Sequence, residues 1–340
     1  MNNNKVTMQQ IADKLGISKV SVSKAINNQE GISQELRKKI LSVAVEMGYM
    51  PKKKFTTADK QDYKLAFFTP KRYFFENENF YSQIFYYLNK ECSDAHYTLS
   101  VFIINAEDEH AGILPSIYLN DDFDGVFVGG EMESSYIQNL LRFQKPVILI
   151  DFYKPGLDLD CILVDNFYIG YEATTYLIQN GHKRIGFVGN IEQASSIADR
   201  FYGYQKALAE NQLTYSKEWN IVNNEPLTGL YTENISLPGE MPTAFLCYCD
   251  MAAFYLIKTL SSRNLHVPQD ISIISFDNTE ISISSIPPLT TVDISKKQLA
   301  NHAFRQMLLR LDNPDSNTQR VIVSTKLVIR SSVRHISCDG

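Results

Sequence analysis

The first fifty residues contain three short amphipathic helical patterns, and the residues that separate them constrain the fold most. The first pattern opens with Thr7 and Gln10, whose spacing is that of a capping box. Gly16 suits the left-handed conformation that ends a helix. Ser18 and Ser33 are suited to begin the second and third helices. Helix, tight turn, helix and supporting helix together predict a helix-turn-helix unit.

The second helical pattern leaves a polar face that suits nucleic acid. A helix-turn-helix inserts the start of its second helix into the major groove of DNA. Lys19 and Lys24 are predicted to donate to guanine, and Val20 to contact a thymine methyl group. The alternative is a small helical bundle with solvated lysines. Further residues are predicted to contact the DNA backbone, namely Thr7, Ser18, Ser21, Ser23, Lys52, Lys53 and Lys54.

Charge is divided unevenly along the chain. Residues 1–60 hold 11 Lys and Arg against 5 Asp and Glu, a net +6, while the whole chain carries −5, which leaves −11 for residues 61–340. A basic head on an acidic body indicates that the head meets a polyanion. The alternative is chance asymmetry. The N-terminus lacks the apolar core of a signal peptide and no apolar run is long enough for a bilayer, so a cytoplasmic protein is expected.

From Tyr63 onward, short apolar runs alternate with helical stretches. The predicted strands are 65–68, 99–104, 125–128, 147–150, 185–189, 244–247 and 271–274, and the first predicted helix of this part is 80–92. This alternation predicts an α/β fold with parallel sheets and helices on both faces. Ligands of such folds bind at the carboxyl ends of strands.

The sequence shows no motif for chemistry. It contains no glycine-rich phosphate loop and no Ser/His/Asp arrangement, so we predict no catalytic residue, no cofactor and no enzyme activity. The five cysteines are odd in number and scattered, which is typical of reduced thiols. Cys247 and Cys249 would point to opposite faces of a strand, which is poor geometry for a shared metal, and no metal site is predicted.

The head strongly resembles that of the lac repressor (LacI/GalR) family of transcriptional regulators. The head segments that carry the resemblance are 6–12, 16–27, 31–33 and 47–51. The body matches the family's motifs in the segments 165–173, 181–185, 200–208, 276–278, 287–292 and 327–332. The resemblance implies a periplasmic-binding-protein-like sensor whose two α/β lobes are joined by crossing strands.

The resemblance also implies how the chain is divided. The predicted parts are a helix-turn-helix head (1–50), a linker or hinge (51–62), an N-lobe (63–162 and 292–322) and a C-lobe (163–291 and 323–340).

Effector contacts are implied between the two lobes. Arg200 matches a family motif and would donate to hydroxyl or acid groups, with a surface salt bridge as the alternative. Asp151 and Asp277 end strands and would accept hydrogen bonds from hydroxyls. Phe80 and Tyr81 match an aromatic pair that faces the cleft, with burial in the core as the alternative.

Several positions depart from the family pattern. Cys249 stands where an asparagine usually contacts the ligand; it stays a predicted effector contact, but a weakly polar one that disfavours an ordinary hexose. Lys24 stands where arginine is usual, which softens a preference for guanine. In the linker, Ala58 falls near the usual wedging leucine, and Phe55 is the only large apolar substitute. The linker is therefore predicted to be either an ordered hinge helix or a flexible cationic tether.

These features predict a repressor-type regulator that binds a pseudo-palindromic operator as a homodimer and responds to a sugar or sugar derivative. The absence of leucine heptads after Arg330 favours a dimer over a tetramer. One alternative is a solute-binding protein or sugar-processing enzyme on the same body. Another is a regulator controlled by a protein corepressor.

Overall fold

The computed structural model describes residues 7–26, 31–47, 62–74, 80–223, 225, 231 and 235–336. The chain folds as two compact units, Met1–Gln61 and Asp62–Gly340. Almost all of the predicted linker, with Lys52, Lys53, Lys54, Phe55 and Ala58, lies outside the described residues. The two forms predicted for the linker therefore both stay predictions.

The first unit contains three helices, α1 (Met8–Leu15), α2 (Lys19–Ile26) and α3 (Gln34–Glu46). They enclose a small apolar core whose buried members are Ile11, Ala12, Val22, Ala25, Ile40 and Ala44. The predicted capping box is confirmed, because the Thr7 hydroxyl accepts from Gln10 N at 3.3 Å and Gln10 Oε1 accepts from Thr7 N at 2.8 Å. Gly16 ends α1 in the left-handed conformation, with φ at 65°.

The caps of the next two helices also lie where the sequence predicted them. The Ser18 hydroxyl accepts from Ser21 N at 3.1 Å, and the Ser33 hydroxyl accepts from Leu36 N at 3.2 Å. Each cap satisfies a backbone donor that its helix cannot pair internally. Local sequence therefore specifies the start of each helix in the head.

The second unit contains two six-stranded sheets. The first sheet has the order β11-β5-β4-β3-β1-β2 and all its strands are parallel. Its strands are β1 (Lys64–Pro70), β2 (Thr98–Ile104), β3 (Gly125–Gly129), β4 (Val147–Ile150), β5 (Asp160–Val164) and β11 (Arg320–Val323). The helices of this N-lobe are α4 (Phe80–Asp94), α5 (Ala106–Ala111), α6 (Ser116–Asn120), α7 (Ser134–Leu141) and α12 (Lys296–Asp312).

The second sheet has the order β12-β10-β9-β8-β6-β7, and only β12 is antiparallel to its neighbour. Its strands are β6 (Ile185–Val188), β7 (Asn220–Ile221), β8 (Ala244–Cys247), β9 (Ser272–Asp277), β10 (Thr290–Asp293) and β12 (Lys326–Val328). The helices of this C-lobe are α8 (Asn166–Gln179), α9 (Ser195–Glu210), α10 (Asp250–Ser262) and α11 (Glu280–Ser284). The predicted α/β fold of two lobes is confirmed.

The chain passes between the lobes three times, after β5, after β10 and after β11. The predicted lobe limits at 162, 291 and 322 fall one or two residues inside these strands, because the apolar runs continue and the backbone pairing continues with them. Val164 still pairs with Val323 in the first sheet, and Asp293 still pairs with Asp277 in the second.

Candidate functional site

A cleft between the two lobes contains all six predicted effector residues. It encloses about 640 Å³ of empty space, its open mouth included. Its lining includes Phe80, Tyr81, Asp151, Arg200, Cys249 and Asp277. The structure thus brings together side chains that lie as far as 197 positions apart in the sequence, although their contact with an effector stays a prediction.

Asp151 follows β4 and is held in the N-lobe wall of the cleft. Its backbone adopts a φ of 70°, and its side chain is buried. Tyr81 Oη donates to Asp151 Oδ2 at 3.0 Å, whereas Oδ1 finds no hydrogen-bond partner within the part of the chain that the structure describes. Burial raises the pKa of Asp151 to about 6, and Arg200 opposes this rise. This carboxylate oxygen can therefore still accept a hydrogen bond.

Asp277 ends β9 and forms the corresponding wall of the C-lobe. It also adopts a left-handed conformation, with φ at 103°. Its backbone carbonyl accepts a hydrogen bond from Lys296 Nζ. Burial raises the pKa of Asp277 to about 7, while Arg200 favours the charged form and Asp250 disfavours it. Each lobe therefore offers the cleft one buried carboxyl group at the end of a parallel strand.

Arg200 is buried and makes contacts within the C-lobe that the sequence did not predict. Its Nε donates to Asn166 Oδ1 at 2.8 Å and its Nη1 donates to Tyr248 O at 2.5 Å. The guanidinium also lies 4.6 Å from the centre of the Phe276 ring. The residue is 4% exposed, so the alternative of a surface salt bridge is excluded. Two of the five N–H donors of the guanidinium are thus used within the C-lobe.

The aromatic pair of α4 belongs to both the core and the cleft. Phe80 and Tyr81 are buried and pack edge to face, with ring centres 5.0 Å apart. Both line the cleft. Lys296 Nζ lies 5.3 Å from the centre of the Phe80 ring. The two readings of this pair, core and ligand platform, are therefore compatible.

Cys249 serves as the first cap of α10. Its Sγ accepts from Ala252 N at 3.3 Å and lies 3.3 Å from Tyr231 Oη. Tyr248 Oη donates to Tyr231 Oη at 3.2 Å. The sulfur thus replaces an oxygen as a helix cap. The polar groups beside this sulfur are the phenol hydroxyl groups of Tyr231 and Tyr248.

Other polar residues hold the fold of the C-lobe. Asp165 caps α8 by accepting from Tyr168 N at 3.0 Å. Asp250 accepts from Ser275, Thr279 and Thr291. Within the described ranges, no group of three or more His, Cys, Asp and Glu side chains is arranged to hold a metal ion.

Sequence reasoning missed several residues of the cleft. They are Arg72, Tyr73, Gln193, Ser196, Tyr231 and Tyr248, which line it, and the buried Lys296 behind it. Lys296 carried a usable signal, because a lysine in the first turn of α12 is unfavourable towards the helix dipole. Such a lysine implies a specific partner, and here that partner is the Asp277 carbonyl.

The predicted DNA-contacting residues are placed on α2 and at the start of α1. Lys19 and Val20 are exposed, Val20 by 64%, whereas Lys24 is half-buried. Ser21 and Ser23 are half-buried, and Ser18 is exposed. The Thr7 hydroxyl lies within donating distance of Gln10 Oε1, at 3.2 Å, so a phosphate would compete for its proton.

Fold and site define a class, namely DNA-binding proteins whose helix-turn-helix is joined to a periplasmic-binding-protein-like ligand sensor. Residues 7–52 match the model of bacterial regulatory proteins of the lacI family, and residues 174–333 match that of the periplasmic binding protein-like domain. The head therefore carries a DNA-binding domain of the lacI family of bacterial regulatory proteins, and the body carries a periplasmic binding protein-like domain.

Relatives and solved structures agree with this assignment. The chain is 29% identical to the HTH-type transcriptional repressor PurR of Actinobacillus pleuropneumoniae, over 97% of this chain and 99% of that protein. It is 25% identical to the ribose operon repressor of Haemophilus influenzae, over 96% and 98%. The lac repressor dimer bound to operator and an anti-inducer has the same fold, with a TM-score of 0.66 at 20% identity, over 97% of this chain and 100% of that one.

No helix among the residues with described structure combines the length and the apolar character that crossing a membrane requires.

Proposed function

We propose that this protein is a transcriptional repressor that binds a pseudo-palindromic operator as a homodimer and is controlled by a small-molecule effector in the interlobe cleft. The observation that carries the proposal is the convergence of six predicted effector residues on one cleft in a chain with a lacI-type head. The relative named ribose operon repressor supports a sugar or sugar derivative as the effector.

A two-fold dimer is supported by the edge of the first sheet. β2 is an outer strand of that sheet and exposes Val101 and Ile103, by 38% and 46%. Tyr86 on α4 is 63% exposed. An apolar sheet edge in a monomer invites pairing with another chain, and a second copy would cover the same patch on both partners. Two copies would present two α2 helices to two half-sites.

Selection of bound sequences from random DNA tests the proposal. We expect a symmetric pair of half-sites and an affinity that falls steeply with salt. Lys19→Ala and Lys24→Ala should each relax the preference at particular bases, at a cost of about 1–3 kcal/mol. Lys183→Ala, an exposed position of the C-lobe, is the matched control and should leave the selected sequence unchanged. Selected sequences without half-site symmetry would contradict the proposal.

A further inference from the structure

We propose that the cleft takes an uncharged ring compound rich in hydroxyl or N–H donors and rejects the phosphorylated form of the same compound. The inference rests on the proposed function, because it concerns the effector of the same cleft.

The cation at the N-lobe mouth of the cleft is already paired. Arg72 Nη1 and Nη2 donate to the two carboxylate oxygens of Glu109, at 2.5 and 3.2 Å. Nη2 also donates to Glu131 O at 2.6 Å. Glu109 is only 2% exposed, so this pair is held away from water. The guanidinium is therefore tied to a buried carboxylate and not presented to an anionic ligand.

The other cations near the cleft also have hydrogen-bond or ion-pair partners within the protein. Lys154 forms an ion pair with Glu131. Arg200 donates to Asn166 and to Tyr248 O, and Lys296 donates to Asp277 O. The positive charges of Arg200 and Lys296 lie close enough to Asp151 and Asp277 to favour the charged forms of both carboxyl groups. Both cations thus offset carboxylates that the protein itself supplies.

The charges of the described groups in the cleft and in the ion pairs beside it balance. The cations are Arg72, Lys154, Arg200 and Lys296, and the carboxylates are Glu109, Glu131, Asp151 and Asp277. A phosphate monoester would therefore bring close to two negative charges into a partly buried site whose own charges already balance, which is costly.

The open hydrogen-bonding positions of the cleft include carboxylate oxygens as well as the Tyr73 hydroxyl, which is likewise buried without a partner among the described residues. Asp151 Oδ1 is buried without a partner among the described residues, and the Asp277 carboxyl group lines the opposite wall. Carboxylate oxygens accept hydrogen bonds, so the ligand has to supply donors on both of its edges. The rings of Tyr73, Phe80 and Tyr81 add apolar faces against which a sugar or a base can pack.

Isothermal titration of the full chain at about pH 8, where both carboxyl groups are charged, tests the inference. The probes are D-ribose, D-glucose and inosine, each against its own phosphate monoester. We expect at least one uncharged member to bind, and its phosphate to bind at least about 10-fold more weakly. A phosphate that binds as tightly as its parent would overturn the inference. The absence of binding by all three uncharged compounds would overturn it as well.

Glu109→Gln provides a second test of the inference. It removes the carboxylate that pairs with Arg72 without altering a residue that lines the cleft. We expect this variant to lower the ratio of the Kd of the phosphate to the Kd of its uncharged parent several-fold. Glu107→Gln, at an exposed position of the same helix, should leave this ratio unchanged. An unchanged ratio of the two Kd values in a folded Glu109→Gln protein would overturn the inference that Glu109 keeps Arg72 from binding a phosphate. Operator binding is measured on the same samples, so a failure of the proposed function appears there and not in the ligand titrations.

Discussion

Buried ionisable side chains determine how the stability of this protein responds to pH, and His182 is a clear case. Its Nδ1 lies 3.0 Å from Thr243 Oγ1, and its Nε2 lies 3.2 Å from Arg334 O, which requires a proton on Nε2. Burial lowers the pKa of His182 to about 4. Between that value and the ordinary value near 6.5, the unfolded chain binds a proton that the native state does not. Stability therefore falls as the pH falls through this window.

We expect His182→Gln to flatten this loss, which in the wild type amounts to about 1–3 kcal/mol between pH 7 and pH 4. Urea unfolding of both proteins across this range measures the difference. His110→Gln is the control, because the His110 side chain is 86% exposed. Equal slopes of unfolding free energy against pH in wild type and His182→Gln would contradict the assignment.

Asp277 has the opposite effect on how stability depends on pH. Its pKa is raised to about 7, so between about pH 4 and pH 7 the native state binds a proton that the unfolded chain has lost. Stability from this group therefore falls as the pH rises. At about pH 8, Asp277→Asn should raise the free energy of unfolding, measured with urea, by about 1–3 kcal/mol. Its response to effector should be lost. Asparagine tolerates the positive φ, so backbone strain does not confuse the result.

Asp122→Asn is the matched control for that substitution, because the Asp122 side chain is 91% exposed. It should change neither stability at about pH 8 nor the effector response. A destabilised Asp277→Asn protein would mean that the carboxylate repays its burial through Arg200 and Lys296.

At the scale of elements, two glycines set the distance between α8 and α9. A Cβ on Gly203 would lie 2.0 Å from Phe167 O and 2.7 Å from Tyr171 N. A Cβ on Gly170 would lie 2.2 Å from Arg200 O. All three atoms belong to the backbone, so a larger residue could be accommodated only by separating the helices. Because α9 carries Arg200, this contact also fixes one residue of the cleft.

We expect Gly203→Ala to destabilise the sensor by about 1–3 kcal/mol or more and to weaken the effector response. Alanine by itself would favour the helix by up to about 1 kcal/mol, so a net loss can come only from the backbone clash. Thermal unfolding and effector titration measure the two effects. Gly239→Ala is the control, because nothing lies within 4 Å of its added Cβ. A neutral Gly203→Ala would show that the helices can separate freely.

Seven strands of the two sheets were predictable because strands buried on both faces are continuous apolar runs, whereas β5, β7, β10, β11 and β12 were not predicted. The runs 147–150 and 244–247 coincide with β4 and β8. α5 and α6, of six and five residues, are too short for a helical period to stand out, and they were not predicted. The helix predicted at 80–92 extends two residues further, to Asp94.

The residues of the cleft were predictable where they end strands or match a family motif, as Asp151, Arg200 and Asp277 do. Their partners were not, because only the fold brings them together. Asn166 and Tyr248 lie 34 and 48 positions from Arg200. The pairing that neutralises Arg72 depends on Glu109, 37 positions away, and on its burial. Charge balance in the cleft is therefore a property of the tertiary structure.

At the scale of the whole sensor, the lobes are joined by three chain crossings and by polar contacts across the mouth of the cleft. Glu131, of the N-lobe, accepts from Ser195 N at 3.1 Å and from Ser195 Oγ at 2.9 Å. Ser195 begins α9, whose preceding residue, Ala194, makes no side-chain cap. Tyr153 Oη donates to Asp199 Oδ1 at 3.3 Å across the same boundary. A carboxylate of one lobe therefore caps a helix of the other.

This interlobe cap should favour the closed arrangement of the lobes. We expect Glu131→Gln to lower the ratio of closed to open molecules about 5- to 30-fold, since weakening two charge-assisted hydrogen bonds costs about 1–2 kcal/mol. Distances between spin labels at the exposed positions Glu107 and Lys217, one on each lobe, measure the change. Glu133→Gln, whose carboxylate contacts His110 and Ser135 in its own lobe, should leave the distances unchanged. If both variants gave the wild-type distances, the cap would contribute nothing to closure, and the three crossings and the contact between Tyr153 and Asp199 would hold the lobes together.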